Sequence, residues 1–150
     1  MILYLDTSAL VKLYVKEPGR EKVIAQVKEA DEVAVSVVAY AEAYSAFRRA
    51  FQIERRFTQK GFEEVVQKFE KDWGSGYYTL IGVSDRVLKT ARDLILKHGL
   101  RGFDGIHLAS ACLLKDRGEE VLFTAFDARL IKAAEKEGLL INTQVILNFC

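Results

Sequence analysis

The chain has 150 residues, of which half are hydrophobic and 29% are charged, a composition that excludes a disordered or fibrous protein. Lys and Arg total 22 against 21 Asp and Glu, and this net charge of +1 excludes a uniformly basic coat that binds nucleic acid through charge alone. The length fits one domain, and we predict a single domain over residues 1–150.

The sequence shows no sign of secretion or membrane insertion. Its two cysteines, Cys112 and Cys150, are too few for a disulfide framework and favour a reduced, cytoplasmic setting. The first residues lack the basic leader of a signal peptide, and no uncharged run approaches the roughly 18 apolar residues of a membrane span. We therefore predict a cytoplasmic protein without membrane association.

Short apolar runs alternate with helical patterns along the whole chain. The runs predict buried strands at residues 2–5, 33–37, 77–81 and 121–125, and a last strand over 139–147. Between them, apolar residues spaced by three and four predict helices at 9–14, 21–30, 38–56, 62–73, 85–98, 102–116 and 127–138.

The predicted strands are apolar throughout instead of alternating with polar residues. This pattern is typical of strands that are covered on both faces, as in parallel sheets. The sequence therefore predicts an α/β fold, a three-layer α/β/α sandwich around a mostly parallel sheet of four or five strands.

Four acidic residues fall where such a fold places its ligands, near the carboxyl ends of the strands. Asp6 ends the first strand, Glu42 lies early in the helix after the second, and Asp127 follows the fourth. Asp104 opens the helix that starts at residue 102. Asp104 and Asp127 also suit helix capping, and Glu42 also suits an exposed surface position.

Carboxylates that meet in one pocket repel each other, and their pKa values rise unless a cation compensates. A cluster of such hard oxygen ligands suits Mg²⁺ or Mn²⁺. A metal held in this way binds phosphate oxygens and polarises the phosphorus, which favours phosphodiester hydrolysis. The sequence holds no P-loop, zinc-ligand spacing or Gly-x-Ser-x-Gly motif that would point to other chemistry.

Four short motifs in a fixed order resemble the PIN-domain ribonucleases of the VapC toxin type. They are YLDTSALVKLY at residues 4–14, SVVAYAE at 36–42, FDGIHLASA at 103–111 and FTAFDARL at 123–130. The resemblance implies a metal-dependent endoribonuclease with Mg²⁺ or Mn²⁺ as cofactor and RNA as substrate. It also implies a toxin that forms a homodimer and is neutralised by a cognate antitoxin protein.

The resemblance also implies roles for the four acids. Asp6 and Asp104 would be direct metal ligands. Glu42 would hold metal-bound water or a second metal and is a candidate general base, and Asp127 would act directly or through water. Thr7 and Ser8 would support the site by hydrogen bonds, or alternatively cap the first helix.

The chain departs from the family pattern at two positions. Ala125 stands where many relatives place Thr or Ser, two residues before the last acid, and Thr124 lies one residue too early. Gly105 replaces the more usual alanine, which we expect to loosen the start of the helix without removing any chemistry.

One histidine and several basic residues each have more than one candidate role. His107 shares a helix face with Asp104, and we favour a structural histidine over a ligand or proton shuttle. Arg129 is a candidate substrate-phosphate contact, or pairs with one of the acids. The basic stretch from Arg48 to Lys60 is a candidate phosphate-binding edge, a solvated helix face or an antitoxin-docking surface.

The excess of aromatic residues between positions 40 and 69 is a candidate dimer face or antitoxin groove, although most of these residues should be core.

Two other functions remain open. A phosphatase of the haloacid dehalogenase type also begins with a strand that ends in Asp, but Ser8 occupies the position of its second Asp. A catalytically silent PIN-like module that binds RNA or protein is the other alternative.

Overall fold

A computed structural model describes residues 1–142, and its centre is a four-stranded sheet. The strands are β1 (Ile2–Leu5), β2 (Glu32–Ser36), β3 (Thr79–Ile81) and β4 (Val121–Thr124). They lie in the order β3-β2-β1-β4, and every pairing is parallel. All four lie within two residues of the predicted runs. Of the predicted last strand, only Leu140 bridges to β4 in the described part, and residues 143–150 lie outside it.

Seven α-helices and one π-helical turn connect and cover these strands in the described part of the chain. The α-helices are α1 (Thr7–Val11), α2 (Arg20–Glu29), α3 (Ala39–Arg48), α4 (Gln59–Gly74), α5 (Asp85–His98), α6 (Gly102–Asp116) and α7 (Ala128–Lys136). The helices α5 and α6 begin and end where the sequence predicts them.

The predicted helix over 38–56 is wrong in its second half. The α-helix ends at Arg48, and the segment Arg49–Ile53 continues as a π-helix. Arg55 then adopts a left-handed conformation with φ of 52°, which stops the helix. The next helix begins earlier than predicted because the Thr58 side chain accepts a hydrogen bond from the Gly61 amide and caps α4.

The side chains of the sheet divide between two hydrophobic cores. Along β1, Ile2 and Tyr4 join the core formed with α5, α6 and α7, whereas Leu3 and Leu5 join the core formed with α1, α2, α3 and α4. Alternate residues of a strand point to opposite faces, so β1 is buried on both sides. This arrangement confirms the predicted three-layer sandwich and explains why the strands are apolar throughout.

The strand order positions the functional edge of the sheet. The chain runs outward from β1 through β2 to β3, and then crosses the sheet so that β4 pairs with the other side of β1. This reversal makes the gap between the carboxyl ends of β1 and β4 the switch point, where open parallel sheets bind ligands. Asp6 lies at this gap, and its amide donates a hydrogen bond to the Thr124 carbonyl of β4.

Gly105 allows α6 to lie unusually close to α5. A Cβ at this position would come within 2.4 Å of Ile95 Cγ1 and 3.3 Å of the Ala91 carbonyl oxygen. The expectation that this glycine merely loosens the helix start is therefore wrong, because Ile95 fills the space that an alanine side chain would need.

None of the helices between residues 1 and 142 is long and apolar enough to cross a membrane. Cys112 lies half-buried in α6 as a free cysteine, and burial raises the pKa of its thiol to about 12. This thiol is therefore protonated and unreactive at neutral pH. Cys150 lies outside the described residues.

We expect Gly105→Ala to lower the free energy of unfolding by about 1–2 kcal/mol, because Ile95 must shift to admit the new methyl group. Gly102→Ala is the matched control at the start of the same helix, where an added Cβ meets nothing within 4 Å. Urea denaturation of both variants makes the comparison. A gain in stability for Gly105→Ala equal to that of the control would contradict the close α5–α6 contact.

Candidate active site

A cleft of about 660 Å³ opens at the carboxyl edge of the sheet, beside the switch point. All four acids singled out in the sequence line it: Asp6, Glu42, Asp104 and Asp127. They come from four separate parts of the chain, the ends of β1 and β4 and the first turns of α3 and α6. The fold therefore brings together side chains that lie up to 121 positions apart, Asp6 and Asp127 being the outermost.

Asp6 is the most deeply buried of the four acids, with 5% of its surface exposed. Its Oδ1 accepts hydrogen bonds from the Ala9 amide at 2.9 Å and from the Ser8 hydroxyl at 2.7 Å. Burial nevertheless raises the pKa of Asp6, and these hydrogen bonds and the nearby His107 offset the effect only in part. No hydrogen bond from residues 1–142 reaches Oδ2, so this oxygen is available to a cation.

Glu42 is held by a hydrogen-bonded network that joins α3 to β1, α1 and α6. Its Oε1 accepts a hydrogen bond from the Thr7 hydroxyl at 2.6 Å and lies 2.9 Å from His107 Nε2. The other nitrogen of this ring, Nδ1, lies 2.9 Å from the Tyr4 hydroxyl. The network is satisfied when Tyr4 donates to Nδ1 and the Nε2 proton points to Glu42.

This network keeps Glu42 ionised. Its partial burial opposes ionisation, but the hydrogen bonds from His107 and Thr7 outweigh burial and place the pKa of Glu42 below its ordinary value. His107 itself is 2% exposed and touches three partners. It therefore orients Glu42 from beneath the cleft, in agreement with the structural role favoured from the sequence.

Asp104 and Asp127 form the outer part of the cleft. Asp104 lies in the first turn of α6 without capping it, and burial together with the charge of Asp127 raises the pKa of Asp104. Asp127 is exposed and caps α7, because its Oδ1 accepts a hydrogen bond from the Leu130 amide at 3.0 Å. Capping and cleft lining are thus compatible for Asp127, whereas Asp104 lines the cleft without capping a helix.

The donor set fits a hard divalent cation that keeps part of its water shell. Four carboxylates line the cleft, and burial and mutual repulsion raise the pKa of two of them, Asp6 and Asp104. Between residues 1 and 142, however, no three His, Cys, Asp or Glu side chains lie close enough to ligate one ion together. Mg²⁺ is typically held by one or two carboxylates and several waters, which matches this arrangement.

The remaining residues predicted from the sequence lie in different places. Thr7 and Ser8 line the cleft and hydrogen-bond to Glu42 and Asp6. Arg129 does not line it, because its guanidinium donates to the Gly99 carbonyl at 3.1 Å. From the basic stretch between 48 and 60, the cleft includes only Arg49.

Several cleft residues carry no assignment from the sequence. Two of them are cations, Lys12 and Arg101, which together with Arg49 of the basic stretch counter part of the acidic charge. Two are the exposed aromatic rings Phe103 and Phe126, each of which directly precedes an acid of the cleft. That adjacency is the only signal in the sequence that could have pointed to these two rings. The sequence offers no such signal for the cations, because they come from separate helices or loops.

The fold and the cleft define a class: a parallel α/β protein with an acidic site at the switch point of its sheet. Within this class the chain belongs to the PIN domain family, whose model matches residues 3–136. The resemblance noted from the four motifs is thus confirmed. A haloacid dehalogenase assignment does not hold, since the chain matches the PIN domain and the Ser8 hydroxyl stands beside Asp6 in place of a second carboxylate.

The chain is also similar to proteins that are named as a ribonuclease, a toxin and a VapBC complex. The chain is 29% identical to ribonuclease VapC45 of Mycobacterium tuberculosis over 137 residues. The aligned region covers 91% of this chain and 92% of the relative. The structure of this chain resembles VapC20 of M. tuberculosis, a sarcin–ricin loop cleaving toxin, with a TM-score of 0.63, 14% identity and coverage of 92% and 96%. VapBC2 of Rickettsia felis, bound to a DNA fragment from its promoter, matches with a TM-score of 0.60, 17% identity and coverage of 95% and 98%.

We expect Asp6→Asn to stabilise the metal-free protein at pH 7. The raised pKa means that the folded state disfavours the ionised carboxylate, and a neutral amide of the same shape removes that penalty while its oxygen still accepts the Ala9 and Ser8 hydrogen bonds. Mg²⁺ or Mn²⁺ should then raise the melting temperature of the wild type but not of the variant. A ligand at 100 times its Kd stabilises by about 2.7 kcal/mol.

The measurement is thermal unfolding with EDTA or with increasing metal. Asp93→Asn is the matched control, because this aspartate is exposed on α5 and pairs only with Arg92. Equal stabilisation of the wild type and Asp6→Asn by metal would exclude Asp6 as a ligand.

Proposed function

We propose that this protein is an endoribonuclease that depends on Mg²⁺ or Mn²⁺ and acts as the toxin of a toxin–antitoxin pair. The observation that carries the proposal is the meeting of four carboxylates in one cleft at the switch point of the sheet. Membership of the PIN domain family and the likeness to ribonuclease VapC45 support RNA as the substrate.

In the proposed mechanism the cleft binds one RNA phosphodiester and a divalent ion. Asp6 and Asp104 would hold the ion, with Asp127 acting directly or through water. When bound, the ion supplies Lewis acidity at the phosphate. The cations Lys12, Arg49 and Arg101 line the same cleft and attract the phosphate against the repulsion of the acids.

We assign Glu42 to the orientation of the attacking water. Its pKa lies below the ordinary value because His107 and Thr7 stabilise the carboxylate, so it is a weak proton acceptor but a well-placed hydrogen-bond acceptor. Thr7 and His107 are positioning residues, since both act on the reaction through Glu42. This arrangement favours a role as water holder over the alternative of a general base.

The antitoxin and the dimer belong to the proposal as well. The aromatic stretch between 40 and 69 supports neither, because Phe47 and Phe69 are fully buried, Tyr40 and Tyr44 pack against them, and Phe51 and Phe62 stack on each other. A groove of about 190 Å³ beside α2 and α4 is better suited to an antitoxin segment, because it combines apolar side chains such as Ile24 and Val27 with the charged Lys28, Lys68 and Asp72. The likeness to VapBC2 supports such a partner.

For the homodimer, the exposed leucines of α5 offer an apolar face. Leu88 is 47% exposed and Leu96 is 79% exposed, whereas Leu94 on the opposite side of the helix is buried. Exposed leucines on one helix favour a protein contact.

The cytoplasm is the expected compartment because its RNA is the proposed substrate.

A catalytically silent module that binds RNA or protein is the second candidate. The observation that favours it is that no three potential metal ligands converge on one point between residues 1 and 142. Tight RNA binding without cleavage in Mg²⁺ or Mn²⁺ would decide for this candidate.

Replacing an acid of the cleft should abolish cleavage and leave the fold intact. We expect Asp6→Asn and Asp104→Asn each to lower kcat/KM for RNA at least about 100-fold, because the loss of one ligand removes roughly 3 kcal/mol of transition-state stabilisation. Asp85→Asn on the exposed start of α5 is the control. Single-turnover cleavage of labelled RNA gives the rates, and full activity of either cleft variant would defeat the site assignment.

Metal removal gives an independent test. EDTA should stop RNA cleavage by the wild type, and added Mg²⁺ or Mn²⁺ should restore it, since the carboxylates of the cleft repel one another and the phosphate without a cation. Cleavage is followed on gels at fixed ionic strength. Cleavage that persists in EDTA would contradict the mechanism.

A further inference from the structure

A second groove lies next to the acid cleft and has the opposite charge. It has a volume of about 410 Å³ and runs between the end of α5 and the exposed face of α7. Its charged lining consists of Lys97, Arg129, Lys132 and Lys136, with no acidic residue among the lining side chains. In a protein with a net charge of +1, this is a strong local concentration of positive charge.

The positive charge of α7 is not balanced from the surrounding elements. Glu137 lies at the end of the groove, but its carboxylate already pairs with Lys97 at 2.8 Å and with His98 at 2.7 Å. Within residues 1–142, no acidic side chain forms an ion pair with Arg129, Lys132 or Lys136. These three cations are available to an anionic ligand.

The three cations form a row on one side of α7. Their positions i, i+3 and i+7 place them on the same helix face, and the row extends about 10 Å at 1.5 Å per residue. Lys136 lies in the last turn, where the helix dipole favours a cation, but Arg129 lies in the first turn, where the dipole disfavours one. Helix stability therefore does not account for the whole row.

The groove lies close to the acid cleft at two points. Asp127 lines the cleft, and the next two residues of the chain, Ala128 and Arg129, line the groove. On the facing wall, Arg129 donates to the Gly99 carbonyl, and Arg101, two residues further on, lines the cleft. The groove cations therefore lie next to the part of the cleft wall that Asp127 forms.

We propose that this groove binds the backbone phosphates of the RNA strand next to the segment that occupies the acid cleft. Three cations in a row suit the repeated negative charges of a single strand, and they require no particular base sequence. The inference rests on the proposed function, because it extends the same RNA site. It assigns Arg129 to the neighbouring phosphates instead of the scissile one.

The test compares two double variants with equal loss of charge. Lys132→Gln/Lys136→Gln removes two groove cations, and Lys71→Gln/Lys89→Gln removes two exposed lysines from α4 and α5 as the control. Binding of a 20-nucleotide single-stranded RNA is measured by fluorescence anisotropy, in the Asp6→Asn background so that the RNA stays intact. The salt series covers roughly 50–200 mM, over which phosphate contacts change affinity strongly.

We expect the groove variant to bind this RNA about 10-fold more weakly than the control variant. The slope of log Kd against log salt should fall by about 1.4, because each lost phosphate contact contributes about 0.7 for a single strand. With the Asp6 side chain restored, the ratio of kcat/KM for the long RNA to that for a trinucleotide should also fall about 10-fold, since only the long substrate reaches the groove.

If the two double variants bind the RNA with the same Kd and the same salt slope, the groove proposal is overturned. RNA cleavage by the wild type would still uphold the proposed function in that case. An equal loss on the long and the short substrate would also overturn the groove proposal, because the effect would then lie in the cleft or the fold. Weakened binding of the antitoxin protein with unchanged RNA binding would assign the groove to a protein partner instead. A wild type that neither binds nor cleaves RNA would overturn both proposals.

Discussion

The candidate site depends on Asp6, a carboxylate that is buried at the end of the central strand and whose hydrogen-bond partners within residues 1–142 include no cation. Asp6 closes β1 where the sheet reverses its strand order, and burial raises its pKa despite two hydrogen bonds to Oδ1. An unbalanced charge at such a position destabilises the fold. A cation bound at Asp6 would neutralise this charge, so its binding would remove the destabilisation.

The other acids share this charge balance in different ways. Glu42 is stabilised as a carboxylate by a network that links β1, α1, α3 and α6 through Tyr4, Thr7 and His107. Asp104 lacks such support, and its pKa is raised by burial and by the neighbouring charge of Asp127. The cleft thus combines one carboxylate that is already stabilised, Glu42, with two that a bound cation would stabilise, Asp6 and Asp104. The first suits the orientation of water and the other two suit metal binding.

Under the proposed function, the cations around the cleft would make two kinds of phosphate contact. Lys12, Arg49 and Arg101 lie among the acids, where their charge is partly offset, and suit the phosphate at the reacting centre. The cations of α7 lie apart from the acids in a groove of their own. The low net charge of the chain therefore conceals a marked local asymmetry, which composition alone does not reveal.

Much of the fold could be predicted from the sequence because its signals are local. Uniformly apolar runs identify the four strands, and Ser84 and Gly99 mark the ends of α5. The four acids were found because they follow strands or open helices. Contacts between distant residues give no such signal. The sequence alone does not reveal that Ile95 fills the space beside Gly105, or that the Arg129 side chain reaches the Gly99 carbonyl instead of the cleft.

The central claim is that Asp6 and Asp104 bind one divalent ion in the cleft. A crystal structure of the wild-type protein with Mn²⁺, with anomalous data collected near the manganese absorption edge, tests it most directly. We expect one strong anomalous peak in the cleft, within about 2.0–2.3 Å of a carboxylate oxygen of each residue, with waters completing the octahedron. A cleft without a peak at saturating Mn²⁺, or a peak bound only at other carboxylates, would contradict the claim.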